Sequence, residues 1–128
     1  MKKINGQSLV EVVVAIAVVL IVIVGLVAVT TVSVQNASFS RNQALATKYA
    51  QETTEKVRAF REQNTWDNFK NGCSGVISGI ILPSPFSFGS GTGCICEDDS
   101  CEVKVIVSWT DGKGIHKSEL TTKLTKWK

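Results

Sequence analysis

The chain has 128 residues, 44% of them hydrophobic and 20% charged, with four cysteines and a formal net charge of +3. That length holds one small globular domain beside any long apolar segment, and excludes a multidomain enzyme. The charge is too small to mark a nucleic-acid-binding protein by its total, although it leaves local basic patches open.

Met1 to Gly6 is short and basic, with Lys2 and Lys3. Gln7-Ser8-Leu9-Val10-Glu11 follows, and from Val12 to Val29 the sequence is unbroken apolar. As a helix, Leu9 to Thr30 is about 33 Å long, enough to cross the roughly 30 Å hydrocarbon core of a bilayer. Glu11 carries the one charge in this stretch. A carboxylate near the edge of such a segment is unfavourable in lipid unless it lies at headgroup depth or finds a cation. A secretory signal peptide fits poorly: this apolar core is longer than 7–15 residues and lacks a small-residue cleavage site at its end. A plain single-span anchor fits the length but leaves the spacing of Gly6 and Glu11 as coincidence.

The basic leader ending in Gly6, then Gln7 to Glu11 and an apolar helix, resembles the signal of type IV prepilins and pseudopilins. The resemblance implies that prepilin peptidase cuts between Gly6 and Gln7 on the cytoplasmic face. It implies that Gln7 becomes the methylated N-terminus and that Glu11, five residues past the cut, directs assembly. One departure is the first mature residue, commonly Phe or Met in that family and Gln here. Loss of Lys2 and Lys3 with the leader lowers the formal charge by two. The same two lysines place the N-terminus in the cytoplasm by the positive-inside rule and the C-terminal part outside. The expected organisation is a leader at 1–6, an apolar membrane or filament-core helix at 7–34, and at 35–128 the C-terminal half of the helix with a disulfide-stapled globular β domain. Before assembly the subunit is expected in the cytoplasmic membrane, and afterwards in a surface or periplasmic filament with other pilins.

Past Thr30 the helix changes character without stopping. No Pro or Gly lies between Asn36 and Gln63, and Phe39, Leu45, Ala46, Tyr49, Ala50, Val57 and Phe60 share one side. Opposite lie Lys48, Glu52, Glu55, Arg58 and Glu62. Glu52 with Lys56, and Glu55 with Arg58 or Lys48, are in reach for ion pairs of about 0.2–0.5 kcal/mol each. Gly25 is the expected place for any bend.

Asn64 to Lys70 reads as a loop or short helical turn anchored by Trp66 and Phe69, and Asn71-Gly72 as a turn. Val76 to Leu82 is apolar and β-prone, a strand. Pro83, Pro85 and the Gly/Ser run to Gly93 form a long loop. Cys101 to Thr110 alternates, with Val103, Val105, Val107 and Trp109 on one face. Asp111-Gly112 marks a turn that Lys113-Gly114 lengthens beyond two residues, and His116 to Trp127 is the returning strand. A long helix followed by a small antiparallel sheet is an α+β arrangement, similar to the pilin fold.

All four cysteines lie in a part too small for a large core, where disulfides in an oxidising compartment are the usual staples. Cys96 and Cys101 face each other across a tight hairpin in one pairing, which leaves Cys73 to Cys94. A Cys94–Cys96 bridge is the most strained of the alternatives. Zinc is the rival use, but C-x-C followed by a lone Cys misses the C-x₂₋₄-C spacing, and His116 is the one imidazole. A redox role lacks C-x-x-C. Glu97, Asp98, Asp99 and Glu102 form an acidic cluster without the pattern of a calcium loop. His116 reads as an exposed strand residue. No nucleophile–base set or phosphate-binding glycine motif is present, so no cofactor and no enzyme is expected. Lys113, Lys117, Lys123, Lys126 and Lys128 with Trp109 and Trp127 raise nucleic-acid binding as an alternative, against protection of a strand edge by lysines. A single-span binding module that never polymerises is the other alternative.

Overall fold

The computed structural model describes residues 7–126, with only the backbone described at Gln7 and Ser8. Helix α1 spans Gln7–Gln63 and α2 spans Trp66–Ser78. Four strands follow: β1 Ser87–Phe88, β2 Gly93–Cys96, β3 Ser100–Asp111 and β4 Gly114–Thr125. The boundary between two compact units falls inside α1, between Phe39 and Ser40. The chain is thus a long N-terminal helix and a small antiparallel sheet, an α+β arrangement consistent with the pilin fold.

In the second unit β3 is the central strand. β1 and β2 share one of its edges, at Ser108–Val107 and Lys104–Cys101, and β4 runs antiparallel along the other. The alternation in β3 turns Cys101, Val103, Val105, Val107 and Trp109 to one face, all buried. From α1, Ala46, Ala50 and Val57 meet that face, with Leu45, Tyr49 and Phe60 packed at the margin. Small residues on the helix bring it close to the sheet, and each large side chain removed from water contributes about 1.5–3 kcal/mol. An edge-on contact of Phe86 with Tyr49 and a tilted one of Phe86 with Trp109 close one end of this core.

The strand expected at Val76 to Leu82 is absent; its first part is the end of α2 and the rest is irregular. Trp66, Phe69, Cys73 and Ile77 recur at helical spacing and are all buried, so tertiary burial overrides the β-prone composition. Asn71-Gly72 is no turn but lies inside α2. Gly72 is there for closeness: a Cβ on it would stand 2.8 Å from the Phe60 ring, so α2 closes on α1 where a side chain would hold it off.

The expected long loop after Pro83 holds β1 and leads into β2. Between them the connection fills the gap in the sheet beside Ile106. Gly89 N–H donates to the Ile106 carbonyl, and the Thr92 hydroxyl donates to that carbonyl and accepts from Ile106 N–H. One side chain thus stands in for a strand's backbone, and Ile106, on the outer face, is buried under it. The β3–β4 turn also differs from expectation. Asp111 pairs with Gly114, so Gly112 and Lys113 form a two-residue turn, and Gly114 takes a φ of 130° that favours glycine. On α1, Glu55 pairs with Arg58 at 2.7 Å, while Glu52 pairs with Lys48 rather than Lys56.

Candidate assembly helix

In the first unit the large apolar side chains from Leu9 to Val34 are all exposed. The helix is long and apolar enough to cross a membrane. Its β-branched residues carry weak intrinsic helix propensity, so this surface is built to be covered by lipid or protein. At its far end Thr30 and Thr31 remain compatible with an apolar setting because both hydroxyls donate to the Val27 carbonyl, at 2.9 and 2.8 Å. The sequence reading missed these two bonds, although Thr in a helix is a standing signal for them. Glu11 is exposed on the helix, and no cation among the described residues pairs with it. Along α1 the next basic residue is Arg41. Gly25 has open space around it.

The second unit holds the remaining candidates. Cys73 is bonded to Cys94 and Cys96 to Cys101, tying α2 to β2 and closing the β2–β3 hairpin. The turn so closed carries Glu97, Asp98 and Asp99. Its backbone is held by Trp66, whose indole N–H donates to the Asp98 carbonyl at 2.7 Å, and by Lys126, whose N–H donates to the Asp99 carbonyl at 2.9 Å. Arg61 stacks over the same indole, 5.0 Å from its centroid. Among the described residues no three His, Cys, Asp or Glu side chains are grouped to hold a metal ion.

His116 is not an exposed strand residue. It is half-buried, lies against Trp109, and its Nε2 is 2.9 Å from Asp111 Oδ1. That same oxygen accepts from Lys113 N–H at 2.8 Å. The Lys113 amide and then the His116 ring hold the Asp111 carboxyl below its ordinary value. A carboxylate with a lowered folded-state value stabilises the fold above its unfolded value, and that contribution is lost as pH falls through the folded one. Wild type is therefore expected to lose stability relative to Asp111→Asn as acid is added below about pH 4. Thermal melts across that range check this; a constant difference between the two would refute the linkage. On the outer face Glu119 and Lys104 pair at 2.8 Å, lowering the one and raising the other.

The lysines and the tryptophan weighed for nucleic acid do not converge. Lys117 and Lys123 alternate with the inward residues of β4 and are exposed, whereas Trp109 is buried on the opposite face of the sheet. Trp127 and Lys128 lie outside the described residues, as do Lys2, Lys3, Gly6 and the side chain of Gln7.

Residues 1–27 match the family model described as the prokaryotic N-terminal methylation motif. This is the type IV pilin and pseudopilin leader signature. No curated protein and no solved structure matches the chain. The pilin-type leader points to a structural protein, to processing by prepilin peptidase and to assembly with other pilins. With the apolar helix behind it, the leader fits a membrane-anchored precursor. The match brings Gly6, Gln7 and Glu11 within one motif and ends at residue 27, ahead of all four cysteines.

Proposed function

We propose that this chain is a structural subunit of a type IV pilus or of a secretion or competence pseudopilus, polymerising through its N-terminal helix after the leader is removed. The observation that carries this reading is the match of residues 1–27 to the methylation motif, on a helix whose apolar surface is open from Leu9 to Val34. Gly6 and Gln7 are the cleavage pair, and Gln7 is the amine that is methylated. The subunit waits in the cytoplasmic membrane with its N-terminus inside and its disulfide-bonded unit outside. It leaves the bilayer when neighbouring helices offer an equally apolar surround. Lipid and protein interior differ little in polarity, so the gain comes from close packing and from pairing Glu11 with a cation. The natural cation is the amine of a neighbour's Gln7, whose charge methylation keeps.

The test is the intact mass of the native protein, which is expected to lack Met1 to Gly6 and to carry one added methyl on Gln7. Gly6→Leu is expected to abolish the cut, leaving the six leader residues in place. A native mass that retains them would remove the main support for this function and favour a plain single-span anchor.

A further inference from the structure

A cut after Gly6 leaves glutamine at the front of the chain, and an N-terminal glutamine carries its own electrophile. By covalent connection alone, its α-nitrogen can attack its side-chain Cδ and close a five-membered ring. The new N–Cδ bond forms as the Cδ–Nε2 bond breaks. Water carries a proton from the α-nitrogen to the departing nitrogen, and ammonia leaves. Nothing is oxidised or reduced, and the product is a neutral lactam without a basic nitrogen. The backbone does not oppose this step. Gln7 is the first residue of α1, and the N–H groups of a helix's first turn have no acceptor inside the helix, so closure breaks no helical bond. Proline brings a similar ring to that position and is well accommodated there. The positive end of the helix dipole also disfavours an ammonium, so loss of the charge relieves the helix. Glu11 stands one turn along α1, exposed, with no cation paired to it among the described residues.

We propose that Gln7 limits the life of an unassembled subunit: left without a partner, the cut N-terminus closes to pyroglutamate and the subunit is retired from assembly. This rests on the polymer reading above and adds a regulation of the same amine. Only an uncharged amine attacks, because a proton occupies the lone pair, and at neutral pH roughly a tenth of free α-amines are uncharged. Seating the amine against a neighbour's Glu11 holds the proton in place. A charge-assisted pair is worth roughly twice a neutral hydrogen bond, enough to cut the uncharged share about tenfold. Assembly therefore protects Gln7, and waiting exposes it. A methyl keeps the charge but leaves the lone pair available once the proton is lost, so the methylated chain closes in the same way. A closed copy still offers its own Glu11 to a neighbour's amine. It brings no cation to the next Glu11, which would be left buried and unpaired. A run of such contacts stops at that copy. Phe or Met at this position has no side-chain carbonyl to attack, so the limit follows from the glutamine itself.

The test compares intact masses of the full-length protein from membranes and from sheared filaments, sampled at intervals after synthesis is stopped. Both pools are expected to lack Met1 to Gly6. Membrane-held chains are expected to lose one ammonia progressively, placed at Gln7 by peptide fragmentation, and filament-borne chains to show it at about a tenfold smaller share. The fraction of held wild-type chains that later enters filaments is expected to fall as the wait lengthens. Gln7→Met is expected to lose no ammonia, and its entry, whatever level it starts from, to stay constant with waiting. Membrane-held chains that keep an open Gln7 at every interval, or Gln7→Met chains that lose ammonia, would overturn the proposal and leave the polymer reading standing. Equal closed shares in the two pools would mean that filament contacts do not guard the amine, and would overturn it as well. Wild-type protein that keeps its leader and forms no filaments would defeat the polymer reading itself.

Discussion

Glu11→Ala is expected to insert in the membrane at least as well as wild type, to be cut after Gly6, and to fail to enter filaments. Removing a carboxylate from the apolar helix removes an unfavourable group, so anchoring gains and nothing in the leader changes. If the carboxylate pairs with a neighbour's N-terminal amine, its loss strikes assembly alone. Glu11→Gln is expected to behave in the same way, because it keeps the shape and loses the charge. A charge-assisted pair shielded from water is worth roughly twice a neutral hydrogen bond, whereas an exposed ion pair contributes about 0–1 kcal/mol. Membrane fractions and sheared filaments, quantified with one antibody, separate the two steps. Wild-type filament yield from both variants would place Glu11 at headgroup depth and end the pairing mechanism.

The second large effect is on the globular unit. Replacing Cys73 and Cys94 together by Ala is expected to destabilise a chain beginning at Gln35 by about 3 kcal/mol, from the loop of 21 residues that the bond closes. The Cys96–Cys101 bond spans 5 residues, and its removal is expected to cost about 2 kcal/mol. Loss of the first also releases α2 from β2, so Trp66, Phe69 and Ile77 would lose their cover. Urea denaturation of the shortened chain gives both numbers. Equal effects from the two bonds would mean that loop length does not govern their contribution.

Much of this arrangement was legible in the residues, and the parts that were not have physical causes. The apolar run after Glu11, the helix free of Gly and Pro to Gln63 and the alternation from Cys101 are each periodic over many residues, and each stands where it was expected. Helix α2 was missed because a local signal outweighed a longer one. Asn71-Gly72 looks like a turn, yet Trp66, Phe69, Cys73 and Ile77 already had helical spacing, and Gly72 serves the approach of Phe60. The role of Thr92 has no sequence signature, since a hydroxyl replacing a strand appears only once β1 and β2 are placed beside Ile106. The same holds for the Asp111–His116 contact, which depends on a turn one pair of residues tighter than the glycines suggested. In the N-terminal helix the candidate residues were readable because they belong to a short linear motif, contained within residues 1–27.

The turn between β2 and β3 is fastened by its main chain. Carbonyls of Asp98 and Asp99 receive the indole of Trp66 and the amide of Lys126, Glu97 N–H donates to the Ser100 carbonyl, and the Cys96–Cys101 bond closes the base. None of these ties uses a side chain from Glu97 to Asp99. Natural selection can therefore rewrite those three positions while the frame beneath them stays as it is. On a fibre displaying one copy after another, that small patch would be repainted along the whole length by a single codon change.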